Sequence, residues 1–94
     1  MKVKIRFFTR LREITNKREE EIEVANDATV RNLFEQLEEK YGTEFRDYIR
    51  NKRGDFRGNL QYLINGKNVS LLQEFDTKLK EDDIMAVIPP VGGG

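Results

Sequence analysis

Hydrophobic and polar residues alternate along several short segments of the chain, which is the pattern of strands with one buried face. Segments 2–7 and 21–24 alternate clearly, and segment 60–64 is rich in apolar residues. Segment 84–88 is apolar at every position, which is typical of a central strand that is covered by its neighbours. We therefore predict two hairpins, 2–7 with 21–24 and 60–64 with the brief strand 67–69, followed by a buried final strand.

Between the two hairpins, the apolar period changes from two residues to that of an α-helix. Thr29 is suited to cap this helix, and Gly42 is placed to end it. The apolar positions that recur at helical spacing are Val30, Leu33, Phe34, Leu37 and Tyr41. This pattern predicts one amphipathic helix of about three turns. A short second helical turn is expected around Phe45, Tyr48 and Ile49.

The connections carry recognisable turn chemistry. Asn65-Gly66 is a strong hairpin signal. Segment 15–18 is expected to be a turn that Leu11 and Ile14 anchor to the core. The glutamates in and before the second strand, Glu19, Glu20, Glu21 and Glu23, are interpreted as a solvated edge-strand face, and a docking surface is the alternative. Segment 51–59 is interpreted as a solvated polar loop. The same interpretation covers the basic residues in this loop and just before it, and docking of a partner is the alternative for this set, which consists of Arg46, Arg50, Lys52, Arg53 and Arg57.

The order of these elements predicts an α+β fold. The last strand lies most naturally beside the first and parallel to it, with a right-handed crossover through the helix. The result is a β-grasp (ubiquitin-like) roll, in which one main helix packs on one face of a mixed sheet over residues 1–88. The predicted core consists of Val3, Ile5, Phe7, Ile22, Val24, Val30, Leu33, Phe34, Leu37, Leu63, Met85 and Val87. On the uncovered face, Ile84, Ala86 and Ile88 should lie near Phe8 and form a surface for a partner.

Residues 89–94 differ in composition from the rest of the chain. Pro89 and Pro90 stop the final strand and form a stiff stem, because neither has an N–H to donate to a sheet. Three glycines follow Val91, and a glycine thread is slender enough for a tunnel that would reject any Cβ. We expect a flexible tail that presents the Gly94 carboxylate. A frayed terminus or a cloning remnant is the alternative.

Composition and charge exclude several classes of function. The 94 residues contain 17 basic and 17 acidic side chains, so no bulk positive charge points to nucleic acid or to a membrane surface. There is no cysteine and no histidine, and the usual nucleophile, general base and metal ligands are therefore missing. No bilayer-spanning segment or signal peptide is evident. A cytoplasmic protein with no metal site is expected.

The Gly94 carboxylate is the group that has chemistry to offer. An α-carboxyl group has a pKa of roughly 3.3–3.7, so it is ionised at neutral pH and is a poor electrophile. ATP could activate it, but no glycine-rich phosphate loop precedes a helix in this chain. A separate activating enzyme is therefore expected to supply both ATP and Mg²⁺, with no cofactor bound to the chain itself.

Five segments resemble the MoaD-like proteins, the small subunits of molybdopterin synthase. They are residues 7–13, 27–30, 64–69, 79–83 and 86–91, and the resemblance covers nearly the whole chain. Val87 and Ile88 stand where many members have two phenylalanines. The length of segment 45–59 is more similar to that of archaeal members, some of which are ubiquitin-like modifiers of other proteins.

The resemblance implies a ubiquitin-like sulfur carrier that works with two protein partners. An adenylating enzyme would activate Gly94, and sulfur transfer would then give a C-terminal thiocarboxylate. The large subunit of molybdopterin synthase would use this sulfur in making the molybdenum or tungsten cofactor. The residues implied to contact these partners are Gly93, Gly92, Val91, Pro90, Pro89, Ile88 and Phe8. Two alternatives are a modifier joined through Gly94 to lysines of target proteins, and an adaptor with an unreactive tail.

Overall fold

The computed structural model of the protein describes residues 1–90. Within this range the chain forms five strands, three α-helices and two 3-10 turns. The strands are β1 (Lys2–Arg6), β2 (Glu19–Glu23), β3 (Gln61–Ile64), β4 (Lys67–Asn68) and β5 (Ile84–Ile88). The helices are α1 (Arg10–Thr15), α2 (Val30–Tyr41) and α3 (Thr43–Ile49), and the 3-10 turns are Val69–Leu71 and Glu74–Asp76.

The five strands form one mixed sheet in the order β2-β1-β5-β3-β4. β5 lies between β1 and β3, parallel to β1 and antiparallel to β3. The helices pack on one face of this sheet, and their apolar side chains share one core with Val3, Ile5, Met85 and Val87. The predicted β-grasp, ubiquitin-like architecture is confirmed, including the parallel pairing of the first and last strands.

Local sequence signals explain the limits of α2. The Thr29 hydroxyl accepts a hydrogen bond from the Asn32 N–H at 3.2 Å, and the Asn32 amide oxygen accepts one from the Thr29 N–H at 3.0 Å. This capping box satisfies two N–H groups that have no partner inside the helix. Gly42 ends the helix with a φ of 85°, a value that glycine adopts without strain. The predicted start and end of this helix are both confirmed.

The predicted core is confirmed except at Leu63, which faces the other side of the sheet. In the antiparallel pairing of β3 with β5, Tyr62 lies opposite Val87 and Leu63 lies opposite Ala86. Residues directly opposite each other share a face, so Tyr62 and Ile64 point into the core. Both are buried, whereas Leu63 is only half-buried. The prediction for Leu63 was wrong because the apolar run 60–64 does not show which alternate residues face inward.

Two connections are more regular than the sequence suggested. The connection between β1 and β2 was expected to be a turn that Leu11 and Ile14 anchor to the core, but its first part forms α1, with Leu11 fully buried. The Thr15 hydroxyl donates a hydrogen bond to the Leu11 carbonyl at 2.8 Å, which satisfies a polar group near the core. At the second hairpin, β4 ends at Asn68, and Val69 begins a 3-10 turn instead of extending the strand.

Glu20 does not belong to a solvated face, although the rest of β2 carries exposed glutamates. Its side chain is 9% exposed and accepts hydrogen bonds from Lys40 and Tyr41 near the end of α2, with the Lys17 ammonium 3.5 Å away. Burial alone would raise the pKa of this carboxyl group. The hydrogen bonds and the two lysine charges outweigh burial and hold the pKa of Glu20 below its ordinary value. This network ties the edge strand to α2.

Replacement of Glu20 by Gln should therefore destabilise the protein in a pH-dependent way. The carboxylate stabilises the fold above its ordinary pKa, and this contribution is lost as the pH falls through the lowered pKa of the folded state. We expect a loss of about 1–2 kcal/mol at pH 7 that disappears in acid. Unfolding in urea between pH 3 and 7 would test this, with Glu39→Gln on the exposed side of α2 as the control. A loss that is the same at every pH would contradict the expectation.

Candidate functional site

The stem leaves the sheet at one defined end. β5 ends at Ile88, which lies opposite Gln61 at the start of β3, and Arg6 at the end of β1 lies beside Ala86. Pro89 and Pro90 follow directly and are half-buried. We call this the stem end of the molecule. The remaining predicted site residues, Val91, Gly92, Gly93 and Gly94, lie outside the described residues.

An apolar groove runs along β5 on the face of the sheet opposite the helices. Its volume is about 500 Å³, and it is lined by Arg6, Phe8, Leu63, Asn65, Gly66, Ile84, Ala86 and Ile88. The predicted alternation along β5 is confirmed, because Met85 and Val87 are buried whereas Ile84, Ala86 and Ile88 are half-buried. Phe8 lies at the same end as Ile88, so the groove leads to the stem.

Charged side chains cover the part of this face next to the groove. The Lys2 ammonium lies 3.7 Å from the Glu21 carboxylate, and Glu19 lies 3.4 Å from the Lys4 ammonium and 3.9 Å from the Arg6 guanidinium. Exposed ion pairs of this kind contribute little to stability. They do neutralise the charges of β1 and β2 against each other. The apolar groove along β5 is therefore the part of this face where a partner gains most by excluding water.

A side-chain network fixes the end of the groove farthest from the stem. Asn65 and Gly66 have φ values of 51° and 85°, as a type I′ hairpin turn requires. The Asn65 amide donates to the Asp83 carboxylate and accepts from the Ile84 N–H, both at 2.9 Å. The sequence predicted the turn, but not this attachment to the start of β5. No local sequence signal marks it, because the partners are 18 and 19 residues apart.

At the stem end, an unusual backbone conformation positions Phe8. Thr9 has φ 45° and ψ −116°, a combination that is strained for a β-branched residue. It turns the chain out of β1 and into α1, whose Arg12 N–H donates to the Thr9 carbonyl at 3.0 Å. Phe8 is left half-buried at the groove, with the Arg12 guanidinium 6.0 Å from the centre of its ring. Sequence reasoning found Phe8 from the break in alternation but missed Thr9.

The apolar groove, the Asn65 network and the turn at Thr9 together form a binding surface beside the stem. Within residues 1–90, no group of three or more His, Cys, Asp or Glu side chains is arranged to hold a metal ion. None of the helices in this range is long and apolar enough to cross a membrane. On the face of the sheet opposite the helices, the described residues offer a partner the apolar groove, together with the direction that Pro89 and Pro90 give to the chain.

Comparison with known proteins agrees with this architecture. Small archaeal modifier protein 3 from Haloferax volcanii is 32% identical over 94 residues, which is 100% of both chains. The crystal structure of SAMP1 from Haloferax volcanii superposes with a TM-score of 0.86 at 22% identity and 100% coverage of both chains, which supports the fold.

A second solved structure and a protein-family model each match nearly the whole length of this chain. A putative molybdopterin converting factor, subunit 1, from Pyrococcus furiosus superposes with a TM-score of 0.73 at 29% identity. The match covers 97% of this chain and 99% of the Pyrococcus chain. The model of the ThiS family matches residues 5–94. Since this match spans nearly the whole chain, the protein belongs to the ThiS family of ubiquitin-like β-grasp proteins.

Proposed function

We propose that this protein is a sulfur carrier whose Gly94 carboxyl group is activated by a partner enzyme. The observation that carries the proposal is the apolar groove along β5, which leads directly to the stem at Phe8 and Ile88. A partner that binds this groove would hold the sheet at a fixed distance from its own active site. The stem and the glycine thread would then reach the reacting groups.

The proposed chemistry has two steps, and both are catalysed by the partner. The Gly94 carboxylate attacks the α-phosphate of ATP, which forms an acyl adenylate and releases pyrophosphate. Sulfide then attacks the acyl carbon and displaces AMP, which gives the thiocarboxylate directly. If the donor is a cysteine persulfide of the partner, the displacement of AMP gives an acyl disulfide, and a second thiol of the partner releases the thiocarboxylate by forming a disulfide with the donor cysteine. ATP and Mg²⁺ belong to the activating enzyme, and the protein contributes the thread and the docking surface. The first step consumes ATP, which the cytoplasm supplies, and we therefore propose that the protein acts in the cytoplasm.

We further propose that the thiocarboxylate delivers its sulfur to a pterin precursor held by the large subunit of molybdopterin synthase. The full-length similarity to the Pyrococcus protein named as a molybdopterin converting factor subunit supports this acceptor. Charge that develops during sulfur transfer would be stabilised by groups of the large subunit.

A modifier function is the second candidate, because the 32% identical relative is named a modifier protein. In that case the amine of a target lysine attacks the activated Gly94 and forms an isopeptide bond with loss of AMP. The first step is the same, so the two functions differ only in the nucleophile.

Mass spectrometry separates the proposals. The protein would be incubated with ATP, Mg²⁺, a sulfur donor and the adenylating enzyme of its source organism. A C-terminal peptide in which one oxygen is replaced by sulfur supports the carrier. Peptides from cellular proteins with the C-terminal glycines attached to lysine support the modifier. An unchanged C-terminal peptide in both experiments would overturn both and leave an unreactive adaptor.

Replacement of Phe8 by Asp should weaken binding to the activating enzyme and to the large subunit. The substitution removes an apolar ring and brings a charge into a surface that must lose its water on binding. We expect at least a tenfold loss of affinity, since residues at the centre of interfaces often contribute about 2 kcal/mol. Phe8→Leu is the control, because it keeps an apolar side chain. Unchanged binding of Phe8→Asp to both partners would show that the groove is not the docking surface.

A further inference from the structure

The charges of this neutral protein are separated between its two ends. Residues 6–20, 38–61 and 87–90 form the stem end, where β1 and β5 finish and β2 and β3 begin. The Phe7 and Tyr41 rings, 6.2 Å apart, and the Arg10–Glu44 ion pair, at 3.0 Å, join the end of β1 and α1 to the junction of α2 and α3. Gln61 at the start of β3 lies opposite Ile88, and the loop between α3 and β3 extends down the side of α2 as far as Phe56, whose ring centre is 5.7 Å from the Arg31 guanidinium. The stem end contains eleven basic and eight acidic side chains. It therefore carries a side-chain charge of +3, and the rest of the described chain carries −3.

Ion pairing increases the contrast at the surface. Most carboxylates at the stem end are paired, for example Glu38 with Arg50 and Asp55 with Arg53. The stem-end cations that form no ion pair within residues 1–90 are Arg12, Arg18, Arg46, Lys52 and Arg57, whereas the unpaired acidic residues are Glu39 and Asp47. The surface around the stem thus presents mainly positive charge.

Three of these cations line one cleft beside the loop that follows α3. The cleft has a volume of about 390 Å³, and its lining residues are Arg46, Asp47, Arg50, Asn51, Lys52 and Arg57. Asp47 is the one carboxylate among them. The Arg46 side chain also reaches this loop. Its guanidinium lies next to Gly54, 3.9 Å from the position that a Cβ on this glycine would occupy. The cleft therefore concentrates positive charge from both the helix and the loop.

Hydrogen bonds within this loop hold it in one conformation, although its residues are exposed or half-buried as the solvated-loop interpretation predicted. The Asn51 side-chain oxygen accepts from the N–H groups of Arg53 and Asp55 at 2.9 and 3.0 Å. The Gly54 N–H donates back to the Asn51 carbonyl at 3.0 Å. Lys52 is therefore carried on a closed and internally bonded turn. A site of this kind loses less conformational entropy on binding than a mobile loop would.

Two of the arginines have structural roles that fix the walls of the cleft. The Arg50 guanidinium packs on the Phe56 ring at 4.2 Å and donates to the Glu38 carboxylate at 2.6 Å. Arg57 donates two hydrogen bonds, at 3.2 and 3.1 Å, to the carbonyl of Asp47 in the last turn of α3. Arg46 and Lys52 have no such bond within residues 1–90 and are exposed. These two side chains are the ones available to an anion.

We propose that this cleft binds acidic side chains of the activating enzyme that receives the stem. The inference rests on the proposed function, because it assigns a partner surface to the same reaction. We assign the cleft to this enzyme because it lies on the half of the molecule that carries the stem, and because carboxylates are the protein groups that exposed arginine and lysine side chains bind. A nucleic acid is less suitable, because the Phe56 ring is stacked on Phe75 at 4.1 Å and covered by Arg50, which leaves it unavailable to a base.

The physical consequence is orientation during the encounter. A molecule that is positive at one end and negative at the other turns in the field of an acidic partner, so that the stem arrives first. Steering of this kind raises association rates by about 10- to 1,000-fold and weakens as salt increases. The apolar groove would determine how long the complex lasts, and the cleft how quickly it forms.

Paired charge reversals test this division. The variant Arg46→Glu with Lys52→Glu removes the proposed site, and Lys67→Glu with Lys78→Glu makes the same change of charge at exposed positions of the opposite end. Association with the activating enzyme would be measured at low and at physiological salt. We expect the stem-end variant to associate at least tenfold more slowly at low salt, with a smaller difference at physiological salt, and the control to remain within about twofold of wild type.

The outcomes separate this inference from the function on which it rests. Failure of wild type to be adenylated overturns both. Adenylation of wild type with equal association rates for both variants overturns the inference alone. Salt-dependent binding of single-stranded RNA, lost in the stem-end variant while enzyme association is unchanged, would assign the cleft to nucleic acid and overturn it as well. If melting curves show that the Glu variant is unfolded, Arg46→Ala with Lys52→Ala replaces it, with an expected slowing of about threefold.

Discussion

Deletion of Gly94 should abolish activity while leaving the fold intact. The deletion moves the reactive carboxylate back by up to about 3.6 Å, since that is the span of one extended residue. A displacement of even about 1 Å can reduce a rate by about a hundredfold, so we expect at least that loss in ATP-dependent adenylation. A glycine has no side chain to bury, and we expect the stability to change by less than about 0.5 kcal/mol. Adenylation assays and melting curves on the same sample would measure both.

Gly93→Val is the matched variant, because it keeps the length of the chain and adds a branched side chain. It should melt like wild type and also fail to be adenylated, since a narrow tunnel would reject the added Cβ. If the Gly94 deletion lowers activity but Gly93→Val does not, adenylation depends on the length of the C-terminal thread and not on its width. Normal activity of the Gly94 deletion would exclude both the sulfur carrier and the modifier.

Phe34→Ala should have the largest effect on stability. Phe34 is fully buried on α2 and packs edge-on against Tyr62 of β3, with their ring centres 5.8 Å apart. Its ring also lies 5.8 Å from Phe56, which belongs to the segment before β3. Truncation leaves a cavity where three elements meet, and a loss of roughly 3–5 kcal/mol is expected. Small domains have about 5–15 kcal/mol in total, so urea unfolding should show a large decrease in midpoint.

Phe8→Ala is the control for this prediction, because it makes the same truncation on the other face of the sheet. Phe8 is half-buried, and its loss should cost much less than that of Phe34. Equal destabilisation by both variants would contradict the assignment of the two faces. A midpoint for Phe34→Ala close to that of wild type would mean that α2 does not direct this residue into the core.

The elements that sequence reasoning found are those whose signals are local. Thr29 caps the start of α2, and Gly42 ends this helix with a positive φ. Asn65 and Gly66 form their turn because both adopt a positive φ. Local signals do not show which residues of an apolar strand face the core. Leu63 was misplaced because an apolar run fits either orientation, and only the pairing with β5 decides which residues face the helix.

The sequence did not predict the charged networks, because their members are far apart along the chain. Glu20 is one of several similar glutamates along the chain, and only the fold brings Lys40 and Tyr41 to it. The same holds for Arg50, whose partner Glu38 is 12 residues away. At the candidate site, the alternation along β5 identified Ile88, whereas the strained Thr9 has no sequence signature because threonine rarely adopts its conformation.

The position of β5 in the sheet has a consequence for protein quality control. In the sheet formed by residues 1–90, β5 is the strand that joins β1 to β3, so a chain whose synthesis stops before Ile84 has two separate hairpins and no continuous sheet. Such fragments cannot bury the core and should be removed by proteases. A prematurely terminated product would therefore not persist as a folded competitor that occupies a partner's docking site without a stem. Folding itself thus selects for molecules whose synthesis has continued through β5, the strand that leads to the stem.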